Sequence, residues 1–343
     1  MSDCPDILPC ALGAPTVTGI LRTLPEDFFV DEILPFEPEG EGEHVLLHIE
    51  KRNTNTDWLA GQLARFAGVP RRDVSYAGLK DRHAVTRQWF SVGLPGKSGP
   101  DWNALALDGV TVLQHVRHRR KLRRGALLEN RFRIRVRELQ GDPGELAARL
   151  TQISRQGVPN YFGAQRFGRE GRNVEQARAM FQGRRVRERN QRSLYLSAAR
   201  SFLFNQLLAR RVIAGNWDRP VPGDVMLLEG SHSYFVLDEV DEEIRRRCRE
   251  FDVHPGGVLW GRGETASRQQ AAEFETALPG AHPDLCHGLE QAGLKRGYRP
   301  LRLMARDVEW QLDADQNLLE LAFRLPAGAY ATTVLRELLV TGA

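Results

Sequence analysis

The sequence has few of the features that mark metal-binding or secreted proteins. Its 343 residues include only four cysteines, Cys4, Cys10, Cys248 and Cys286, and none of them forms a C-x-x-C pair. Such spacing argues against a structural zinc site and predicts free, reduced thiols. No P-loop, G-x-S-x-G, H-E-x-x-H or EF-hand pattern occurs, so the common nucleotide, hydrolase and metal motifs are all missing.

Long apolar runs are missing as well. No segment approaches the roughly 18 apolar residues that a membrane span requires. The first ten residues, MSDCPDILPC, lack the basic region and apolar stretch of a secretory signal. We therefore expect a cytoplasmic protein that is not inserted in a membrane. No interface signature is evident, and we expect a monomer.

Charge is balanced in total but uneven along the chain. The formal net charge is only +4, yet residues 26–50 carry nine acidic side chains and no lysine or arginine. Three basic clusters follow, at 117–124 (RHRRKLRR), 184–192 (RRVRERNQR) and 245–249 (RRRCR). One such cluster is often only a solvated surface, but three favour a nucleic-acid partner. The acidic stretch is compatible with a protein-interaction surface.

Hydrophobic periodicity predicts an α+β fold with a mixed or antiparallel sheet. Alternation and β-branched content predict strands over 19–34 (two, around Pro25), 44–51, 74–79, 87–95, 110–116, 131–139, within 221–237 and over 317–326. Helical spacing predicts helices over 55–68, 144–157, 173–183, 197–216, 241–251 and 330–340. A strand-rich start, a helical middle and a strand-plus-helix end suggest that one domain is inserted into another; domains that follow one another along the chain are the alternative.

The stretch YAGLKDRHAVTRQWF (76–90) places Asp81 between two predicted strands. An aspartate beside a lysine is usually a surface residue. To act as a nucleophile or base, it would need a positive partner that keeps it ionised and aims it. The candidate partners are Lys80, Arg82, Arg87 and Arg22.

A second stretch, VPNYFGAQRFGREGRN (158–173), mixes amides, aromatic rings and a guanidinium. Such groups can stack on splayed RNA bases and bond their edges, which makes Asn160 and Arg166 candidate RNA contacts. Tyr161 and Phe162 could stack on bases, or could simply fill a junction between domains.

Several motifs together resemble the tRNA pseudouridine synthase D (TruD) family. They are GLKDRHAVTRQ (78–88), RKLRRGALLENRF (120–132), PNYFGAQRFG (159–168), SAARSFLFN (197–205) and LPAGAYATTVLREL (325–338), with PEDFFVDE (25–32), GEGEH (40–44) and NT (53–54) before them. The matching segments run in order through nearly the whole chain.

This resemblance implies an enzyme that isomerises uridine to pseudouridine, typically at position 13 of certain tRNAs, without a metal or an organic cofactor. It implies a pseudouridine synthase catalytic domain over 1–156 and 305–343, interrupted by a family-specific α+β insertion domain over 157–304. The substrate partner is then tRNA. Its target base must be extruded from the RNA fold, and the basic clusters at 117–124 and 184–192 would help hold the tRNA.

The resemblance also implies roles for individual residues. Asp81 matches the catalytic aspartate, which would attack C1′ of the ribose or remove the C2′ proton. Arg22 matches its basic partner, although lysine is commoner there, and Lys80 is a further candidate contact. Phe132 matches an aromatic ring that lies against the target base. Other positions that match substrate contacts are Phe28, Asn130 and Tyr330. Glu129 stands where glycine is expected.

Two other functions fit the same residues. A non-catalytic RNA-binding protein would use the basic surfaces and would tolerate loss of the Asp81 carboxylate. A metal-dependent nuclease would need Asp31, Glu32 and Asp81 to converge on a divalent ion.

Overall fold

A computed structural model describes residues 8–231 and 233–341 of the chain. These residues form two compact units. The first, called here the sheet unit, comprises the described residues of Thr16–Leu146, Ala305–Gly328 and Leu339–Ala343. The second, the helical unit, comprises the described residues of Met1–Pro15, Ala147–Met304 and Ala329–Leu338.

The long segment of the helical unit ends at Met304, where the insertion was predicted to end. The contacts also group 147–156 and 329–338 with the helical unit, whereas the predicted insertion began at residue 157. One helix, Pro143–Gln156, runs across the start of this segment, so the chain offers no sharp boundary there. Which ranges form the family's catalytic and insertion domains stays a prediction.

The described residues contain sixteen strands and eight α-helices. The strands are β1 (Thr18–Leu21), β2 (Phe28–Ile33), β3 (His44–Arg52), β4 (Val74–Tyr76), β5 (Val85–Gly93), β6 (Val110–His118), β7 (Glu129–Gln140), β8 (Val158–Pro159), β9 (Val225–Leu228), β10 (Tyr234–Val236), β11 (Val253–Leu259), β12 (Gly297–Pro300), β13 (Arg302–Leu303), β14 (Arg306–Asp313), β15 (Leu318–Pro326) and β16 (Val340–Thr341). The helices are α1 (Thr56–Phe66), α2 (Pro143–Gln156), α3 (Arg172–Phe181), α4 (Arg189–Ile213), α5 (Glu242–Arg249), α6 (Gln269–Ala281), α7 (Pro283–Gln291) and α8 (Ala331–Leu338).

The sheet unit is built on a ten-stranded mixed sheet. Its main order is β14-β15-β7-β2-β5-β3-β6, with β1 joining β7 and β16, and β4 joining β5. The pairs β2–β5 and β1–β16 are parallel, and the other pairs are antiparallel. This confirms the predicted α+β class and the mixed sheet.

Helix α1 covers one face of this sheet. The side chain of Asn55 caps it by accepting hydrogen bonds from the main-chain N–H groups of Asp57 (2.8 Å) and Trp58 (3.1 Å). Leu59 and Leu63 are fully buried against the inward-facing side chains of β3 and β5. Burial of this apolar face is what holds the strands that flank Asp81.

The helical unit is organised around α4, a helix of 25 residues. Leu203, Phe204 and Leu208 of α4 have no solvent exposure and pack with side chains of α3, α6, α7 and β11. A four-stranded sheet in the order β10-β9-β11-β12 and a two-stranded sheet, β13-β8, complete the unit.

Most predicted elements are confirmed, and the differences have local causes. The strand predicted over 74–79 ends at Tyr76, because the chain then enters a loop fixed by a hydrogen bond from Gln88 Nε2 to the Gly78 carbonyl. The helix predicted over 197–216 begins earlier, at Arg189. Helices α6 and α7 were not predicted; α6 carries Pro279 in its last turn, and proline is disfavoured inside a helix.

Two expectations about the whole chain can be checked in the described residues. None of their helices is both long enough and apolar enough to cross a membrane. Cys10, Cys248 and Cys286 are free, as predicted, and burial raises the pKa of the Cys286 thiol to about 12. Cys4 lies outside the described residues.

Candidate active site

Asp81 lies in the loop formed by residues 77–84, between β4 and β5. Its Oδ1 accepts a hydrogen bond from the main-chain N–H of His83 at 3.1 Å, and its Oδ2 is 2.6 Å from Nη2 of Arg22. The side chains of Arg22 and Asp81 remain 34% and 27% exposed. The carboxylate is therefore fixed through both oxygens and is still reachable by a substrate.

Arg22 follows β1 directly and has a left-handed backbone, with φ of 61°. A positive φ is uncommon for a residue other than glycine and is often found at functional sites. The Arg22 guanidinium carbon is 4.4 Å from the centre of the Phe28 ring. A planar guanidinium stacks on a ring better than an ammonium does, so Phe28 gives a physical reason for arginine at a position where the resemblance led us to expect lysine.

Aromatic rings continue from Phe28 across the sheet. The Phe28 and Phe132 ring centres are 6.2 Å apart at 73°, and Phe132 and Phe323 are stacked at 5.3 Å and 26°. Phe132 is only 7% exposed. These rings form an apolar wall that begins under the Arg22 guanidinium.

Asn130 lies two residues before Phe132 on the same strand and is also buried. Among the described residues its Oδ1 has no hydrogen-bond donor. A buried acceptor without a partner is rare and needs an explanation, such as a bound water or a ligand donor.

Glu129, which stands where glycine was expected, is the first residue of β7 and is buried. Its Oε1 accepts a hydrogen bond from Nη1 of Arg324 at 2.8 Å. Glu129 remains in register with Ile33 of β2 and Pro326 of β15. The bulky acid is thus accommodated by an arginine of the neighbouring strand, and the strand remains regular.

Lys80 points away from solvent and bonds Oε2 of Glu32. The two side chains are 7% and 0% exposed, respectively. Burial raises the pKa of Glu32, and the Lys80 ammonium opposes that rise. Lys80 is therefore engaged in a buried ion pair next to Asp81.

The three carboxylates of the nuclease alternative do not converge. Asp81 pairs with Arg22, Glu32 bonds Lys80, and Asp31 lies 3.3 Å from the His48 ring. The part of the chain that the structure describes holds no cluster of three or more candidate metal ligands. This geometry gives a metal-dependent nuclease no support.

Lys51 is a residue of this site that the sequence analysis missed. Its side chain is fully buried, and Nζ donates hydrogen bonds to the carbonyls of Thr54 (2.7 Å) and Asp81 (3.2 Å). Burial lowers the pKa of Lys51 to about 8. A signal was available, because Lys51 continues the inward series Val45, Leu47 and Ile49 on a strand where every second residue is buried.

Asn160, Arg166 and Tyr330 belong to the helical unit. Arg166 donates to Tyr330 Oη at 2.8 Å and to Ser197 Oγ at 3.2 Å. Asn160 is buried, donating to the Pro300 carbonyl (2.8 Å) and accepting from Arg299 (2.6 Å). The structure thus brings Arg166 and Tyr330 together, while both polar ends of Asn160 are used inside the unit.

Tyr161 and Phe162, which follow Asn160, were predicted either to stack on RNA bases or to fill space between domains, and the two residues differ. Tyr161 is 2% exposed and is part of the core of the helical unit, so it serves packing. Phe162 is half-buried and lies under Arg299, whose guanidinium carbon is 4.2 Å from the ring centre, and Arg166, at 5.6 Å. Arg299 was not singled out from the sequence; burial lowers its pKa to about 10.

The three basic clusters differ in how far their charge is neutralised. In 245–249, the four arginines form ion pairs with Glu242, Glu243, Glu250 and Asp252, so this cluster is a solvated helix surface. In 117–124, Arg119 pairs with Glu39 and Glu41 of the acidic stretch, which explains part of that stretch. Arg120 and Arg123 line an open cleft of about 780 Å³ and have no carboxylate partner in the described residues.

The cluster at 184–192 keeps most of its charge. Arg185, Arg187, Arg189 and Arg192 are exposed, and none of them has an ion-pair partner within residues 8–231 and 233–341. These arginines offer uncompensated positive charge to a phosphate backbone.

Comparison with known proteins gives a consistent result over almost the whole chain. The family model "tRNA pseudouridine synthase D (TruD)" matches residues 7–184 and 173–338. The chain is 53% identical over 339 residues to the tRNA pseudouridine synthase D of Methylococcus capsulatus, covering 98% of this chain and 96% of that protein. It is 54% identical over 330 residues to the protein of the same name from Nitrosococcus oceani, covering 95% and 92%.

The fold has a counterpart among solved structures. A crystal structure from Methanosarcina mazei, provisionally assigned as a tRNA pseudouridine synthase D, superposes with a TM-score of 0.73 at 23% identity and covers 96% of this chain and 95% of that one. That likeness establishes the fold, and the closer relatives and the family model establish the rest: the chain belongs to the tRNA pseudouridine synthase D (TruD) family, whose general function is the isomerisation of uridine to pseudouridine.

Proposed function

We propose that this chain isomerises the uridine at position 13 of tRNA to pseudouridine, with Asp81 as the catalytic carboxylate. The observation that carries the proposal is the Arg22–Asp81 pair, in which the carboxylate is fixed through both oxygens and the Arg22 guanidinium stacks on the Phe28 ring. A carboxylate held in this way is suited to act on a ribose carbon or its proton.

The reaction balances without an external reagent. The N1–C1′ bond breaks, the uracil turns, and a C5–C1′ bond forms. The proton on C5 is released to water, and N1 gains a proton, so there is no net oxidation or reduction. Asp81 would either attack C1′ to form an ester or remove the C2′ proton to form a glycal, and either role requires the ionised carboxylate. No metal or organic cofactor enters the scheme.

The residues around Asp81 supply complementary contacts. Arg22 orients the carboxylate, while Phe28 and Phe132 present an apolar wall to the uracil ring. The unpaired Oδ1 of Asn130 would accept the uracil N3–H, a donor that must be satisfied once the base has left its helix. A contact between Lys80 and the substrate remains part of the proposal, and it would require the amine to leave Glu32.

The helical unit would contribute to RNA binding. Arg166 and Tyr330 form a hydrogen-bonded pair that could contact a base or the backbone, with Asn160 supporting the same segment. Exposed arginines at 184–192, with Arg120 and Arg123 of the sheet unit, would bind phosphates. We also propose that the enzyme acts as a monomer in the cytoplasm, which size-exclusion chromatography with light scattering and cell fractionation would check.

Tritium release from tRNA carrying [5-³H]uridine tests the catalytic proposal. The assay compares wild type, Asp81→Asn, Asp81→Ala and the control Asp315→Asn, an exposed aspartate in the turn after β14, in excess chelator. We expect release by wild type and control and none by either Asp81 variant, with tRNA binding retained. Release by Asp81→Asn would remove Asp81 from its role. Binding without release by any of the proteins would favour the RNA-binding alternative.

A further inference from the structure

Lys51 is the last inward-facing residue of β3, and its amine is enclosed under the loop that carries Asp81. The side chain has no solvent exposure, and both of its observed hydrogen bonds go to main-chain carbonyls. Burying an ammonium without a carboxylate partner is expensive, so an apolar side chain here would be cheaper for folding alone. The lysine therefore needs a role beyond packing.

One of the two carbonyls lies in the turn after β3, and the other lies in the loop that carries Asp81. Lys51 bonds Thr54 on one side and Asp81 itself on the other. Asn53, which is left-handed with φ of 51°, donates its N–H to the carbonyl of Ala84, at the end of the same loop, at 3.2 Å. The end of β3 and the turn after it thus bond the Asp81 loop at two points, Asp81 and Ala84, and Lys51 makes the bond nearer the carboxylate.

Two charged groups of the loop face Lys51. The Asp81 carboxylate favours the ammonium, and the Lys80 ammonium opposes it. Lys80 is in turn paired with Glu32 of β2. Burial is the largest effect; together with the Lys80 ammonium it outweighs the Asp81 carboxylate and lowers the pKa of Lys51 to about 8. The charge of Lys51 is therefore present at neutral pH and is lost in mildly alkaline solution.

We propose that Lys51 is a positioning residue for Asp81, whose charged amine holds the main chain of the loop so that the carboxylate meets both Arg22 and the ribose. The proposal rests on the proposed function, since Lys51 acts through Asp81. A charged donor bonds a carbonyl about twice as strongly as a neutral one. Loss of the Lys51 proton weakens the hydrogen bond to the Asp81 carbonyl, and replacement of the lysine side chain removes that bond.

The test is the pH dependence of tritium release under single-turnover conditions, for wild type, Lys51→Met and Lys97→Met. Lys97 is an exposed loop lysine of the same unit and controls for loss of one charge. At pH 7 we expect Lys51→Met to be about 10- to 100-fold slower with unchanged tRNA affinity. The wild-type and Lys97→Met rates should fall above pH 8, and Lys51→Met should lack this fall. Ionisation of the substrate affects all three proteins equally, so it cannot explain a difference between their pH profiles.

The pH dependence of the free energy of unfolding, compared with that of the rate, distinguishes a positioning role of Lys51 from a merely structural one. The unfolded chain holds the Lys51 proton up to a pKa near 10.5, whereas the folded chain releases it near 8. Between these values the unfolded state binds more protons, so wild-type stability should rise with pH while the rate falls. A structural lysine would change stability alone.

Two results would overturn the proposal: a flat wild-type rate from pH 7 to 9, or Lys51→Met with the wild-type rate and profile. If Lys51→Met does not fold, Lys51→Gln keeps a donor without the charge, and it should likewise lack the alkaline fall; a retained fall would count against the proposal. Wild-type release at pH 7 reports on the proposed function separately. Its absence would defeat that function, whereas release with a flat profile would defeat only the role of Lys51.

Discussion

Replacing Lys80 with methionine would leave the Glu32 carboxylate buried without its cation. Lys80 is 7% exposed and Glu32 is fully buried, so water cannot take the place of the amine. The main-chain N–H of Trp89 donates a long hydrogen bond, 3.4 Å, to Oε1 of Glu32, which is too weak to replace the lost ammonium. Removing one partner of a buried ion pair costs about 3–5 kcal/mol. We expect Lys80→Met to lower the free energy of unfolding by about that amount.

A double-mutant cycle identifies the origin of the loss. The variant Lys80→Met/Glu32→Gln has no buried charge at this position and should regain at least half of what Lys80→Met loses. The surface control is Arg135→Met, which breaks the exposed pair with Glu320 and should change stability by less than ~1 kcal/mol. The assay is urea unfolding at pH 7.5, followed by circular dichroism. A Lys80→Met protein within ~1 kcal/mol of wild type would refute the reasoning.

The same variant should respond to pH in a defined direction. Burial already raises the pKa of Glu32, and Lys80→Met removes the ammonium that opposes this rise. As the pH falls through the folded pKa, the buried carboxylate takes up a proton and its penalty disappears. The stability difference from wild type should therefore shrink between pH 8 and pH 5. A constant difference over that range would show that the charge on Glu32 is not the cause.

Two further predictions concern the reaction and RNA binding. Arg22→Met should slow single-turnover tritium release by at least tenfold, and Arg22→Lys should fall between it and wild type, because the charge is kept and the stacking on the ring is lost; equal rates for the two variants would contradict the stacking argument. The double variant Arg185→Gln/Arg187→Gln should reduce the slope of log K against log salt for tRNA by roughly 0.7 per lost phosphate contact, as measured by filter binding. Arg246→Gln, whose charge is neutralised by two nearby glutamates, should leave that slope unchanged.

Elements with strong local signals could be predicted from the sequence. Strand β7 alternates arginine with Phe132, Ile134 and Val136, and these three apolar side chains are buried as expected. The parallel pairing of β2 with β5 could not be predicted, because it depends on contacts across more than fifty residues. Strand β14 was overlooked although Val308, Trp310 and Leu312 alternate along it, which was a usable signal.

The partner of Asp81 shows where sequence reasoning needs the fold. Charge type alone left four candidates, and the resemblance favoured Arg22. In the structure Arg22 makes the ion pair, while Arg87 is 2.8 Å from Glu50 and Lys80 bonds Glu32. Proximity in sequence was misleading here. The partner, Arg22, is 59 residues (81 − 22) away from Asp81, whereas the adjacent Lys80 faces the interior.

Three cations lie in or next to the loop that carries Asp81, and they differ in burial. Arg22 is 34% exposed and meets the carboxylate, Lys80 is 7% exposed and meets a buried glutamate, and Lys51 is fully buried and meets only carbonyls. The exposed cation can act on the reaction directly, so its loss should appear in the rate. The second stabilises a buried charge, so its loss should appear in unfolding. The third carries a charge whose pKa burial lowers to about 8, so its loss should appear in the pH profile of the rate.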